Sequence, residues 1–571
     1  MAEATTIQRP QRWDSAFDPS MTEEDVDRIL SVEPFASMDH SKFPPAASLR
    51  DLIRNDTRIR QYQPGDIIMR QGDYGSSAFL VLSGQARVVL NPPLSDRVLG
   101  RQTPIKKGYF EALSQLWLNP RQPEVRDLAT YGTGGKVGAR RSRNETLTFL
   151  QDVPTVLSDH QTDTIGLGEI FGEIAALGRT PRTATIFSDG KSECLEVRWQ
   201  GLRDIRRRDE ALREHIDHLY RERSLHAHFR GLPMFGHLAD WALGKVAEET
   251  VFETYGEFDW HGAFKKIAER SIADKLAHEP VIAEEGEYAD CVFFIRAGFA
   301  RVSQRINHGH RTSNFLGRGD FFGFREVAHN WRTGEQVGLQ YSLRALGYVD
   351  VLRVPTAVIE GLILPSLDED ELPELFSSNE VNATDWETAA REVAPDASLL
   401  EFLVENLYVN GTATMMIDLD RCVRCDDCVS ACAAGHNNNP RFVRHGKRHG
   451  RFMIANACMH CSDPVCMIGC PTGAIHRTSM EGQVVINDAT CIGCATCANS
   501  CPYDNIRMVD IRDANGSFIV DEQTNRPIVK ATKCDLCVDQ MGGPACQRAC
   551  PHDALRRVDM RNLNPVVDWL A

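Results

Sequence analysis

Sixteen of the chain's eighteen cysteines fall between residues 422 and 550, in four groups. The first is Cys422, Cys425, Cys428 and Cys432. The second is Cys458, Cys461, Cys466 and Cys470. The third is Cys491, Cys494, Cys497 and Cys501, and the fourth is Cys534, Cys537, Cys546 and Cys550. The third group reads CIGCATCANSCP. A C-x2-C-x2-C-x3-C-P run wraps three thiolates around one iron–sulfur cubane and sends the fourth to a neighbouring one. Sixteen thiolates make four complete [4Fe–4S] sites with none left over. Zinc ribbons use two C-x2-C pairs; they do not use three closely spaced thiolates followed by Cys-Pro. Disulfides need an oxidising compartment, and the N-terminus MAEATTIQRPQRWDSAFDPS has no apolar signal core. The expected chemistry is electron transfer, and the expected compartment is the cytoplasm.

A second constellation lies some 240 residues earlier, in FGEIAALGRTPRTATIF at 171–187. An anion buried among strands needs backbone N–H donors at a helix start and a guanidinium fork. Arg182 can supply the fork. Gly172 lets backbone and ligand approach closely. Glu173 offers an acceptor, Ile174, Ala175 and Ala176 fit a short helix that the alanines open, and Thr183 adds a hydroxyl beside the arginine.

The elements around this stretch read as short strands with tight turns. In YQPGDIIMRQGDYGSSAFLVLSGQARVVL (62–90), apolar residues alternate between Gly65, Gly72 and Gly84. Strand character resumes at 184–197. A helix follows, with Leu202, Ile205, Leu212, Ile216 and Leu219 on one face. Thr22 is placed to cap a helix over 22–32. Residues 91–163 are polar and rich in Gly and Pro, as in a surface-loop insertion. The glycine-and-strand pattern then recurs in PVIAEEGEYADCVFFIRAGFARV (280–302), with Gly298 where the first copy has Gly84. In the second copy FGE has become FGF, so Phe324 replaces Glu173. The position 15 residues before the matching valine holds Leu339 where the first copy has Arg182. The second copy is expected to be silent for an anionic ligand.

The first repeat resembles the cyclic nucleotide-binding domains of catabolite activator proteins and of cyclic-nucleotide-dependent kinases, over 62–90 and 164–226. The resemblance implies a β-roll in which a short helix and Arg182 hold the cyclic phosphate and Glu173 takes the ribose hydroxyl. Thr183 is similar to the pattern in which a hydroxyl reaches guanine, so both cAMP and cGMP remain open. The tandem layout resembles kinase regulatory subunits rather than a transcription factor.

Group three resembles bacterial ferredoxins. CMHCSDPVCMIGCPTGAI, DATCIGCATCANSCPYDNI and the fourth group extend the resemblance to the four-cluster electron-transfer subunits of molybdopterin oxidoreductases such as dimethyl sulfoxide reductase, formate dehydrogenase and polysulfide reductase, across 416–560. That resemblance pairs groups one with four and two with three. The implied sites are Cys422/Cys425/Cys428/Cys550, Cys458/Cys461/Cys466/Cys501, Cys470/Cys491/Cys494/Cys497 and Cys432/Cys534/Cys537/Cys546.

The expected fold is multidomain α+β: two β-rolls (jelly-roll-like) followed by a double bacterial-ferredoxin-like domain. The expected divisions are an N-terminal helical segment (1–47), a first nucleotide-binding domain (48–226, with the insertion 91–163), a degenerate second one (227–365), an acidic connector (366–410) and the cluster domain (411–571). The net charge of −15 lies wholly in the first 410 residues. No basic footprint suits nucleic acid, and no apolar run is long enough to span a bilayer. Cys194 and Cys291 are expected as buried structural thiols, and 441–451 as a basic loop.

The chain has no HExxH, no GxSxG and no dinucleotide fingerprint. A row of clusters without terminal chemistry is a conduit. The leading reading is an electron-transfer subunit of a cytoplasmic oxidoreductase complex, regulated by a cyclic nucleotide at the first β-roll. Its partner would be a catalytic subunit of molybdopterin or flavin/NAD(P)H type. Two alternatives are a cyclic-nucleotide- and redox-responsive signalling protein, and a conduit whose β-rolls only dock a partner.

Overall fold

The structure, a computed structural model, describes residues 6–91, 94, 153–367, 397–561 and 569, apart from positions 10, 15, 179–180, 231, 236–237, 258–259, 268–269, 271, 307–308, 437, 479–481, 514–515 and 539–541. Most of the expected insertion and most of the acidic connector lie outside the described residues.

Glycine-punctuated alternation in the first repeat gives eight short strands in two antiparallel sheets. One sheet runs Thr57–Tyr62, Ser192–Arg198, Ser77–Ser83, Ile170–Phe171. The other runs Ile67–Met69, Thr185–Ser188, Ala86–Asn91, Gln161–Ile165. Alternate side chains point inward, and Tyr62, Phe79, Val81, Ala86, Ile165, Phe171, Ile186 and Cys194 share one core. Gly84 turns the chain at φ +73, and a Cβ there would sit 2.3 Å from the Lys191 carbonyl oxygen. Residues 161–163, read from sequence as loop, are paired with Ala86–Asn91. They form an edge strand whose solvent-facing side chains give it the composition of a loop.

The single helix expected after the last strand is two, Trp199–Arg206 and Glu210–Arg230. The Asp209 carboxylate accepts the Leu212 N–H (2.7 Å) and starts the second. Leu202, Ile205, Leu212 and Ile216 are buried against the N-terminal helices Glu23–Leu30 and Leu49–Asp56. Thr22 caps Glu23–Leu30 in a reciprocal box with Asp25.

The second repeat builds a six-stranded sheet on two long strands, Cys291–Ile306 and Ser342–Pro355, flanked by Val251–Gly256 and Gly309–Leu316. Gly298 bends the first long strand at φ +83, where a Cβ would fall 1.9 Å from the Tyr348 carbonyl oxygen. This is the same device as Gly84.

The cysteine region holds a four-stranded antiparallel sheet in the order Val443–His449, Phe452–Asn456, Thr414–Asp418, Leu555–Val558, with the pairs Ile475–Arg477/Val484–Ile486 and Arg507–Asp510/Val529–Thr532 beside it. The basic stretch 441–451, read as a loop, is mostly one arm of a hairpin turning at Gly450 (φ +53). Alternation of charged and small residues hides this strand in the sequence.

Several contacts join the parts. Thr6–Ile7 adds a parallel strand to Val520–Asp521. Arg12 pairs with Asp204 (2.7 Å) and Asp56 (3.2 Å) in the first roll. The helix Ala397–Glu405 closes a core shared by the second roll (Trp260, Phe299, Leu346) and the cysteine region (Met416, Ile454, Met459). The Trp260 indole N–H donates to Asp463 (2.8 Å).

Candidate functional site

In the first roll, Gly172 lies at φ +79 and releases the helix Glu173–Gly178. The helix opens at Glu173 rather than at the alanines, which puts the carboxylate at the first helical position. Glu173, Ala175 and Ala176 are buried and Thr183 is half-buried; the Ile174 side chain lies outside the described set. Arg182 is 5% exposed. Its guanidinium donates to the carbonyl oxygens of Gly172 (2.6 Å) and Ser77 (2.7 Å). Burial pulls its pKa down to about 10, against the opposing pull of Glu196, Glu173 and Asp73. A Cβ on Gly75 would lie 2.3 Å from Arg182 Nη2, and one on Gly172 would lie 2.6 Å from Nη1. Both glycines are therefore required by the arginine, a role that the sequence did not reveal for Gly75. A buried guanidinium held by neutral carbonyls is a place where an anion gains strongly.

The backbone fixes the register between the repeats. Gly72 N donates to Arg182 O and Arg182 N to Asp73 O, each at 2.8 Å. Gly286 N donates to Leu339 O (2.7 Å) and Leu339 N to Glu287 O (2.8 Å). Leu339 thus stands where Arg182 stands, and Phe324, behind Gly323 at φ +86, where Glu173 stands. Both are buried.

The cysteines are gathered by the strands and short helices of the C-terminal region. Cys458, Cys461, Cys466 and Cys501 line one hollow. Cys470, Cys491, Cys494 and Cys497 line another. Burial raises the Cys432 thiol, with Cys534, Cys546 and Cys537 among its neighbours. Burial likewise pushes Cys428 up to about 12, with Cys546 and Cys550 as its neighbours. Cys422 packs in the same cluster of side chains, and Cys425 is exposed. Left-handed residues turn the loops between ligands: Arg424, Asp426, His460, Ala495 and Leu536. Backbone N–H groups point at sulfur, from Arg441 to Cys432 (3.2 Å), Asn505 to Cys501 (3.4 Å) and Ala554 to Cys550 (3.3 Å). Cys194 and Cys291, outside the groups, are buried in strands.

The donor set fits iron–sulfur clusters. Buried thiols with raised pKa values cannot stand as thiolates without a compensating cation. The same region buries Lys533 and half-buries Arg557 and Arg477, whose hydrogen-bond partners are carbonyl oxygens and, for Arg557, also a cysteine sulfur. Such cations call for an anion nearby, and a thiolate-ligated cluster is one. None of these three carried a sequence signal, because each is an isolated basic residue in an ordinary setting.

The two halves touch at the pocket. Tyr74 pairs with Pro181 in an isolated bridge, next to Arg182. Its ring lies over the Arg477 guanidinium. Arg477 Nη2 in turn donates to the carbonyl oxygens of Cys461 and Ser462, both at 2.7 Å. Arg203, on the helix after the roll, donates to the Ile468 carbonyl oxygen.

A family model described as a 4Fe-4S dicluster domain matches residues 450–560. A cyclic nucleotide-binding domain model matches residues 275–365, in the second repeat. The regulatory domain of Toxoplasma gondii PKA, solved with cAMP, aligns over 60% of this chain and 94% of its own at 14% identity, with a TM-score of 0.19. The putative oxidoreductase AegA of Escherichia coli (strain K12) is 33% identical over 141 residues, 23% of this chain and 19% of AegA. The arsenate respiratory reductase iron-sulfur subunit ArrB of Shewanella sp. (strain ANA-3) is 39% identical over 100 residues, 16% of this chain and 42% of ArrB. The chain therefore spans less than half the length of either. The electron transport protein HydN of Escherichia coli (strain K12) is 34% identical over 146 residues, 23% of this chain and 79% of HydN. With its gathered cysteines, its dicluster match and this coverage of HydN, the chain belongs to the HydN-type family of iron–sulfur electron-transport proteins, and it carries cyclic nucleotide-binding-type structure on the same polypeptide.

Proposed function

We propose that the chain is an electron-transfer subunit whose flux is controlled by a cyclic nucleotide in its first β-roll. Four [4Fe–4S] clusters would be held by Cys422/Cys425/Cys428/Cys550, Cys458/Cys461/Cys466/Cys501, Cys470/Cys491/Cys494/Cys497 and Cys432/Cys534/Cys537/Cys546. Bound there, they would supply one-electron carriers. The chain's own residues bury the clusters, aim N–H groups at sulfur and place cations beside them, which tunes their potentials. The electrons enter from and leave to partner subunits, of molybdopterin or flavin/NAD(P)H type, in the cytoplasm. Among the described residues no helix is long and apolar enough to cross a membrane.

The observation that carries the regulatory half is Tyr74, bridged to Pro181 on one side and lying on Arg477 on the other. A cyclic phosphate would draw Arg182 from the Gly172 and Ser77 carbonyls. The strand segment around Arg182 is hydrogen-bonded to Gly72 and Asp73, so the turn bearing Tyr74 would move with it. Coupling then requires that the nucleotide bind two arrangements of this turn with different affinity. The second roll, with Phe324 and Leu339 in its pocket, acts as a scaffold: Trp260 and Lys265 attach it to Asp463 and Asp504 of the cluster region.

The test is calorimetric titration of cAMP and of cGMP into anaerobically purified protein, with Arg182→Ala as control. One nucleotide bound per chain, lost in the variant, is expected. Failure of both nucleotides to bind removes the regulatory reading and leaves an electron-transfer subunit with scaffolding β-rolls.

A further inference from the structure

The strand Leu555–Val558 runs antiparallel to Thr414–Asp418, with Arg557 opposite Met415. From there the Arg557 side chain enters the seam between two of the four cysteine sets. Its Nη2 donates to Cys534 Sγ at 3.0 Å. Its Nη1 donates to the Cys458 carbonyl oxygen at 3.2 Å and to the Ala413 carbonyl oxygen at 3.0 Å. One guanidinium thus touches the set Cys432/Cys534/Cys537/Cys546 and the set Cys458/Cys461/Cys466/Cys501. Its Nε is also buried and has no hydrogen-bond partner among the described residues.

Lys533 adds a second cation to the seam. Lys533, 2% exposed, donates Nζ to the carbonyl oxygens of Cys534 (2.9 Å) and Val484. His460 sits between Cys458 and Cys461 and accepts the Val484 N–H on Nδ1 (3.1 Å), so its proton is on Nε2. It adds a neutral ring rather than a charge. The partners of Arg557 and Lys533 are carbonyl oxygens and a thiol, not carboxylates. Cations so placed gain strongly from an anion beside them.

We propose that Arg557 is the shared counter-charge of the clusters held by these two sets and sets the potentials on either side of the electron's step between the two halves of the cluster region. This rests on the reading that the cysteines hold four clusters. In that step one electron leaves one site as the other gains it; no bond forms or breaks and no proton moves. Reduction adds negative charge, so a cation within contact of both sites favours the reduced state of each. Its N–H···S bond withdraws charge from the Cys534 sulfur and acts in the same direction. A guanidinium reaches both sets because its donors fan out in a plane, whereas an ammonium is a single point.

The experiment is a redox titration of the full-length, iron-loaded protein followed by electron paramagnetic resonance, for wild type, Arg557→Gln and Arg557→Lys, with iron counted in each. In Arg557→Gln two of the four cluster signals should need a lower potential, with the reduced-to-oxidised ratio at a fixed potential falling about tenfold or more. The other two should not move. Arg557→Lys should fall between the two proteins. Unchanged potentials at full iron content overturn the proposal, as does an equal shift of all four. If Arg557→Gln loses iron, Arg557→Lys decides: two signals displaced supports the assignment, and none displaced overturns it. A wild type holding well under about sixteen irons per chain would instead remove the four-cluster reading, and the shared counter-charge with it.

Discussion

The Tyr74 ring lies over the Arg477 guanidinium, whose central carbon is 4.7 Å from the ring centroid. Tyr74 belongs to the nucleotide-type roll, and Arg477 ends the strand Ile475–Arg477 and donates to the Cys461 carbonyl oxygen. Tyr74→Ala should therefore leave nucleotide affinity within about threefold of wild type, since the side chain is outside the Arg182 seat. It should abolish any nucleotide-dependent change in the cluster spectrum. Persistence of that change in the variant would mean that coupling runs elsewhere, with Arg203 and the Ile468 carbonyl as the next contact to break.

The pocket itself is tested by Arg182→Ala, Glu173→Gln and Gly75→Ala. Loss of a charged hydrogen-bonding partner costs about 1.5–3 kcal/mol, or roughly ten- to a hundredfold in affinity. Gly75→Ala should reproduce the Arg182 loss, because its methyl would occupy the guanidinium's position. Leu339→Ala in the second roll should leave binding untouched. Two nucleotides per chain by calorimetry would contradict the assignment of the second roll as scaffold.

Iron removal should unfold the cysteine region selectively. Buried Lys533 and half-buried Arg557 and Arg477 would be left without a counter-charge, and the raised thiols would stay protonated. Chelation under reducing conditions should open the amides of Thr414–Asp418 and Leu555–Val558 to hydrogen exchange, while the first-roll core around Phe79 and Phe171 stays protected. Uniform protection after complete iron removal would contradict this.

Asp204 gives a pH test. Burial pushes its carboxyl up, but Arg203 and Arg12 together outweigh burial and hold it below the usual carboxylate range. A depressed folded value contributes stability above the unfolded value near ~3.9 that is lost as pH falls through the folded one. Asp204→Asn should cost about 2 kcal/mol at pH 7, and the gap from wild type should close below about pH 4. Urea unfolding followed by tryptophan emission across that range would show it; a gap independent of pH would mean that the ion pairs with Arg12 and Arg203 are not its source.

Much of this organisation is written in local patterns. Cysteine spacing depends only on how a short loop wraps a metal group, so the four groups are visible without a fold. Gly84 and Gly298 recur because the same bend brings a carbonyl within 2.3 Å or 1.9 Å of any Cβ. The substitutions Phe324 and Leu339 could be counted out because strand lengths preserve register. Edge strands such as Gln161–Ile165 and Val443–His449 were hidden, since one face meets water and pairing adds no composition signal.

By itself, the sequence determined the iron–sulfur character of the cysteine region and most of the strands and helices that carry the candidate residues, because cysteine spacing and glycine turns act over a few residues of chain. Only the tertiary structure decided which long-range neighbours these groups share. Arg557 meets Cys458 and Cys534 across 99 and 23 residues of sequence. Tyr74 of the first roll meets Arg477 of the cysteine region. Such contacts depend on how whole sheets pack, and a lone basic or aromatic residue looks the same in sequence wherever packing takes it.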